Sequence, residues 1–335
     1  MTTHCTPLLD NIETSGTPAE ASQPLISKDI DREALSIFDI EKYKKLTIKT
    51  ALSLLEHGVY TDWVDRGNKL LACGSEIVFN DGVVISANFC RLRVCPMCQR
   101  RKSLKTFSDF KKILASLSGF SFLHMVLTVP NCSGDELRAT VERLNATSSR
   151  FFRIAEIKRA FKGVARFLEV SYNKTNNSYH PHFHCLVAVN KSYFTSRDYL
   201  SQKRLRFLWS VVWRLRNDNL KRTKDSFIEG FNLLDTDLLQ LRITKADEGA
   251  LPEIAKYSCK PLDLSIDDRH RALVIQTLYE ALHNKRLVQT FGVFRGFDFD
   301  AEGVGDIDNS SFDKSNNVVY HYDYALSQYK KIESN

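Results

Sequence analysis

Apolar residues recur at helical spacing from about Ile40, through Leu46, Ile48, Ala51, Leu52 and Leu55, until His57-Gly58 supplies a stop. Residues 1–35 show no sustained apolar period and are rich in Ser, Thr, Pro and acids, which predicts a disordered tail. Two β-branched runs, Ile77-Val78-Phe79 and Val83-Val84-Ile85, flank Asn80-Asp81-Gly82, and Asp-Gly between such runs predicts a hairpin. Residues 122–129 predict a buried central strand that ends at Pro130-Asn131, with His124 and Thr128 on one face. A helix follows, capped by Ser133 or Asp135 and striped by Leu137, Val141 and Leu144. Residues 164–172 predict another strand. Asn176-Asn177, a dipeptide that tolerates a left-handed turn, joins it to a strand running from His180 through Val189.

The second half is less regular. Residues 196–224 form a basic helical stretch in which Trp209 and Trp213, four apart, are core anchors sooner than base-stacking platforms. Its arginines and lysines face either DNA or water. Residues 239–243 alternate like a half-exposed strand. Pro252 fits the first turn of a helix over residues 253–260, which Pro261 ends. A helix is expected over residues 272–282 and a strand-like segment over 285–297. Acids and glycines then loosen the chain until Tyr320, Tyr322 and Tyr324 alternate as a short closing strand.

The 335 residues, 43% of them apolar, suffice for one large domain or two ordinary ones. The net charge of +7 is mild, but the acids gather toward the ends and leave the middle more basic. No apolar run approaches a membrane span, and the N-terminus lacks a secretory pattern, so a cytoplasmic protein with no membrane partner is expected. In a reducing compartment, eight cysteines with four at close, regular spacing read as metal ligands before disulfides.

Three candidate sites emerge. His182 and His184 share a strand face with Phe183 turned inward, so their imidazoles can share one metal. If Asn176 and Asn177 are the two loop residues, Glu169 falls directly opposite His184, unless Pro181 bulges the strand. Two imidazoles and a carboxylate suit magnesium or manganese at phosphate oxygens as well as zinc hydrolysis. With Asp81-Gly82 as the hairpin loop, Cys73 sits across from Cys90, and Cys95-Pro96-Met97-Cys98 adds two thiols, a set suited to structural zinc. Arg91, Arg93, Arg100, Arg101 and Lys102 crowd that segment without an acid, a candidate phosphate-contact surface. On the helix over 253–260, Glu253, Tyr257 and Lys260 share a face, converging a carboxylate, a phenol and an ammonium.

The order of these segments resembles the rolling-circle plasmid replication initiators of Gram-positive bacteria, members of the HUH endonuclease superfamily. Residues 122–131 are similar to the family's first motif, with Val126 in place of a threonine. His180-Pro181-His182-Phe183-His184 is similar to the metal-binding second motif, and Glu253-Ile254-Ala255-Lys256-Tyr257-Ser258-Cys259-Lys260 to the third. Residues 90–98 resemble the cysteine-rich segment that precedes the catalytic domain.

The resemblance implies an α+β fold: a central antiparallel sheet with helices on one face, preceded by a small Cys-rich zinc-binding segment. Four parts are expected: a tail (1–35), an N-terminal helix and zinc/DNA-binding segment (36–115), a nicking-joining domain (116–297) and an acidic, partly ordered tail (298–335). Tyr257 would be the nucleophile that forms a 5′-phosphotyrosine link. Glu253 would help end the reaction, and Lys260 would face the developing charge. His182, His184 and Glu169 would hold magnesium or manganese, and Cys73, Cys90, Cys95 and Cys98 zinc. The implied partners are double- and single-stranded plasmid origin DNA, host helicase and replication proteins, and a second copy as a homodimer. A single-strand transposase or relaxase shares the His pair and tyrosine, and a non-catalytic zinc-dependent copy-number regulator is the alternative from another class.

Overall fold

Two antiparallel sheets organise the computed structural model, which describes residues 37–58, 61–80, 83–214, 241–245, 266–297 and 314–332. The tail expected over 1–35 and the helix expected over 253–260 lie outside the described residues. Ahead of the larger sheet come α1 (Ile37–His57), α2 (Thr61–Ala72), the strands β1 (Glu76–Asn80) and β2 (Val83–Ala87), and α3 (Pro96–Ser116). The sheet itself and its helices follow as β3 (Phe120–Thr128), α4 (Gly134–Phe151), α5 (Ala155–Ala160), β4 (Phe161–Asn173), β5 (Ser178–Asn190), α6 (Gln202–Arg214), β6 (Leu241–Lys245), α7 (Asp268–Leu282) and β7 (Val288–Gly292). Two further strands, β8 (Asn317–Asp323) and β9 (Gln328–Lys331), complete the described chain. The fold class is α+β.

The larger sheet runs β6-β3-β5-β4-β7. At its centre β5 carries Cys185-Leu186-Val187-Ala188-Val189, apolar on both faces and fully buried, as a strand covered from two sides must be. One face, with Leu123, Met125, Leu127, Leu168, Phe183 and Val187, packs under α4, α6 and α7. On α4 the expected stripe of Leu137, Val141 and Leu144 is fully buried, and Ser133 begins the helix with a capping box to Glu136. Trp209 is a core anchor, as its spacing suggested: it is buried, and its indole N–H donates to the Thr128 carbonyl at 2.8 Å, pinning α6 to the end of β3. Burying each such large side chain contributes about 1.5–3 kcal/mol.

The opposite face is divided. Alternate residues of the same strands, Ala165, Phe167, Leu186 and Ala188, pack against Phe110 and Ile113 of α3 and against Phe294. Beyond that apolar half, the same face continues into Glu169, His182 and His184.

The smaller sheet runs β2-β1-β8-β9, pairing Glu76 with His321 and Asn80 with Asn317. Residues from the two ends of the described chain thus share one ladder. Its core joins Trp63 and Leu70 of α2 to Ile77, Tyr322 and Tyr329, with Cys73 and Cys95 among them. Gly74, at φ +64°, takes the left-handed conformation that other residues adopt only with strain where α2 turns into β1, and a Cβ there would also crowd the Met97 side chain.

Two registers differ from the sequence reading. The loop between β4 and β5 spans residues 174–177, with Asn177 left-handed at φ +48°, so Asn173 pairs with Ser178 and Glu169 with His182, not His184. Pro181 introduces no bulge and stays in register with Val170. Tyr179 N–H donates toward Cys132 at 2.8 Å, so the main chain of alternate residue Pro181 faces the gap beyond the end of β3. The missing N–H there removes no ladder bond. In the first hairpin a bulge between Val78 and Phe79 shifts the register, and the ladder ends at Ile77–Ala87. Cys73 and Cys90 are therefore not cross-strand partners.

Candidate functional site

Period-two alternation places Glu169 of β4 beside His182 and His184 of β5, all on one face and nearly buried. Glu169 Oε2 lies 3.3 Å from His182 Nε2 and 3.2 Å from His184 Nε2, and the two Nε2 atoms are 3.0 Å apart. Bonds of about 2.1 Å to one cation would set neighbouring ligand atoms about 3.0 Å apart at octahedral angles and about 3.4 Å at tetrahedral ones. The triangle falls in that window.

Hydrogen bonding also suits ligation. His182 Nδ1 is 3.0 Å from the His180 carbonyl, which can only accept, so Nδ1 carries the hydrogen and Nε2 offers its lone pair to the cluster. Burial works against the Glu169 carboxylate's charge, but the imidazoles of His182 and His184 outweigh it and hold its pKa down to about 2. A carboxylate kept ionised by two imidazoles fits a divalent cation, which on binding would take the place of the ring hydrogens that otherwise face it. His180 lies on the same strand face with its ring 5.0 Å from that of His182, but its Nδ1 is 2.7 Å from Asn131 Oδ1, and burial with His182 nearby lowers its pKa to about 4.

The four thiols gather by a different route from the expected hairpin symmetry. Asn88 holds the turn: its amide donates to Ala72 O at 2.6 Å and to Ser75 Oγ at 2.8 Å, while its carbonyl oxygen accepts from Glu76 N–H at 3.1 Å. Cys90 N–H then reaches Cys73 Sγ at 3.4 Å. Cys95 caps α3 with Pro96 in the first turn, and its sulfur accepts from Cys98 N–H at 3.5 Å. Sulfur separations of 3.6 Å for Cys73–Cys98, 3.8 Å for Cys90–Cys98 and 3.5 Å for Cys73–Cys95 come within a few tenths of an ångström of the roughly 3.8 Å edge of a tetrahedron with zinc–sulfur bonds of about 2.3 Å. Burial opposes ionisation of Cys95, yet the S–H groups of Cys73, Cys90 and Cys98 and the Cys98 N–H hold it well below an ordinary thiol. The donor set fits zinc.

The basic segment is placed in detail. Arg93 Nη1 donates to the carbonyls of Leu282 and Lys285 at 3.1 and 3.0 Å, capping the end of α7. Arg100 lies over Tyr43 and Arg101 over Phe89, with guanidinium carbons 5.6 and 4.3 Å from the ring centres. Arg91 is exposed, and Lys102 is half-buried on the first turns of α3. On α6, Arg204 makes a two-point ion pair with Glu156, at 2.7 and 3.1 Å. Tyr257, Glu253 and Lys260 lie outside the described residues.

One residue of the site escaped sequence reasoning. His124 Nε2 stands 3.1 Å from His184 Nδ1, the two rings stacked at 5.4 Å. Alternation put His124 on a recognisable strand face, but only the β3–β5 register, with Val126 opposite His184, brings it to the triad.

A family model described as a replication protein matches residues 81–330. The chain is 31% identical to "Protein rep" of Streptococcus pneumoniae over 263 residues, covering 75% of this chain and 76% of that protein. It is 27% identical to "Protein rep" of a Bacillus species over 247 residues, covering 70% and 80%. With "Protein rep" of Staphylococcus aureus it shares 31% identity over 210 residues, covering 62% and 84%. No solved structure matches the chain.

Proposed function

This chain belongs to the Rep family of replication proteins, and on that premise we propose that it starts plasmid replication by nicking and rejoining one DNA strand at the origin. The observation that supports this reading is the Glu169–His182–His184 triangle, a nearly buried set of ligand atoms spaced for one cation. Magnesium or manganese held there would supply Lewis-acid polarisation of a phosphate oxygen.

Tyr257 is the proposed nucleophile. Its phenolate oxygen bonds to phosphorus, the bond from phosphorus to the 3′ oxygen breaks, and the departing oxygen takes up a proton to become the 3′ hydroxyl that primes synthesis. Lys260, three residues on in the sequence, would favour the phenolate. The 5′-phosphotyrosine link conserves the bond energy for rejoining, and Glu253 accepts a proton from the water or hydroxyl that later displaces the tyrosine. The four-cysteine site, loaded with zinc, would fix the segment around the start of α3, with Arg91 ahead of that helix and Lys102 on it approaching DNA phosphates. Origin DNA, single- and double-stranded, is the proposed substrate; a host helicase, host replication proteins and a second copy of the chain are proposed partners.

The test uses supercoiled plasmid carrying the protein's own origin, with magnesium. A mapped nick with a covalent protein–DNA adduct that Tyr257→Phe abolishes is the expected result. Origin binding without any cleavage would instead favour the zinc-dependent regulator.

A further inference from the structure

The two ring nitrogens of His184 face different surroundings. Its Nε2 faces Glu169 Oε2 at 3.2 Å and His182 Nε2 at 3.0 Å, while its Nδ1 faces His124 Nε2 at 3.1 Å. If Nε2 is to offer a lone pair to a cation, the hydrogen of the neutral ring must sit on Nδ1. A contact of 3.1 Å between two imidazole nitrogens needs one donor and one acceptor, so Nδ1–H of His184 donates to the lone pair on His124 Nε2. His124 is then the tautomer protonated on Nδ1.

The two ligand imidazoles are thus oriented by different means. For His182 the acceptor is a main-chain carbonyl of its own strand, His180 O at 3.0 Å. For His184 it is a side chain from the neighbouring strand, carried to the same face because Val126 lies opposite His184 and His124 is the next residue on that face. The near-parallel rings, 23° apart, also fix the plane of His184.

We propose that His124 is the positioning residue of the cation site, holding His184 in the tautomer and ring orientation that ligation requires. This rests on reading the triangle as a metal site, and the experiment separates the two. Manganese binding to the full-length protein is measured by calorimetry for wild type, Glu169→Ala, His124→Phe and His124→Gln. Phenylalanine keeps an aromatic ring but cannot accept a hydrogen bond, whereas the glutamine carbonyl oxygen can.

Wild type should bind and Glu169→Ala should show no binding within the calorimetric concentration range; if both bind equally, the metal reading fails and this inference falls with it. His124→Phe should weaken binding by about 10- to 100-fold, the usual range for removing a partner of a ligating histidine, and His124→Gln should restore most of that loss. Wild-type affinity in His124→Phe, beside a Glu169→Ala protein that does not bind, would overturn the positioning role alone. Equal loss in the Phe and Gln variants would also overturn it, assigning the effect to packing.

Discussion

Lys44 donates a 2.8 Å hydrogen bond to the carbonyl oxygen of Cys73 from a fully buried position on α1. Its ammonium also reaches Leu71 O at 2.7 Å and lies 5.3 and 5.2 Å from the ring centres of Tyr322 and Tyr324. Burial draws its pKa down to about 8 against the pull of Cys73, Cys95 and Cys90. Four thiolates around zinc carry two net negative charges, and a cation this close offsets part of them. Lys44→Met keeps the length of the side chain and removes the charge, so zinc should pass to a colorimetric chelator about tenfold faster than from wild type. An unchanged transfer rate would show that the cation does not stabilise the cluster.

The thiol cluster itself predicts about one tightly held zinc per chain. Cys95→Ser removes both a ligand and the sulfur that caps α3, so its zinc content should fall and the segment before α3 should loosen. Elemental analysis that finds zinc unchanged in this variant would remove the assignment. Origin binding should weaken while residues 161–190, in the other sheet, keep their fold.

Acid should expose the Glu169 interactions. Its pKa is about 2 in the folded protein against an ordinary 4.5, so its contribution is complete above the unfolded value and is lost as pH falls toward the folded one. In buffer free of magnesium and manganese, the stability difference between wild type and Glu169→Gln should shrink by about 3 kcal/mol between about pH 5 and 2. Urea unfolding at each pH measures this. A pH-independent difference would mean that the carboxylate is not held by the imidazoles.

Much of this site was legible because strand faces survive errors of register. The loop at residues 174–177 is longer than a two-residue Asn176-Asn177 turn, which moved the partner of Glu169 from His184 to His182. A slip of two residues keeps every side chain on its face, so the carboxylate still met both imidazoles. The thiol cluster was foreseen from a symmetry the Val78/Phe79 bulge breaks; Gly74 and Asn88, outside the ladder, do the gathering instead. Other features left no local signal. Pairing of β1 with β8 joins residues about 240 positions apart, and no period within either strand announces the other. The long α3 was unforeseen because the basic run from Arg100 to Lys105 masked it, although Phe107, Phe110, Ile113 and Leu114 recur at helical spacing. The short α2 was also unforeseen, its buried anchors Trp63 and Leu70 being seven residues apart.

The two carboxylates Glu169 and Glu253 give the sharpest test of the proposed chemistry. Glu169 is built into the sheet with both imidazoles within 3.3 Å, so its loss should empty the cation site and remove the first cleavage. Because a missing ligand lowers occupancy more than it alters the nucleophile, high manganese should partly rescue Glu169→Ala. Glu253 stands four residues before Tyr257 in the sequence, one helical turn if the expected helix forms, and its proposed work comes only when the phosphotyrosine link is resolved. Glu253→Ala should therefore nick and form the tyrosyl adduct at near wild-type rate, yet fail to end replication, so that products longer than one plasmid unit accumulate. Both variants are run on single-stranded origin oligonucleotide across a manganese titration, with replication products sized in parallel. Equal loss of first cleavage in both, without rescue in either, would mean that the two carboxylates do not divide the work in this way.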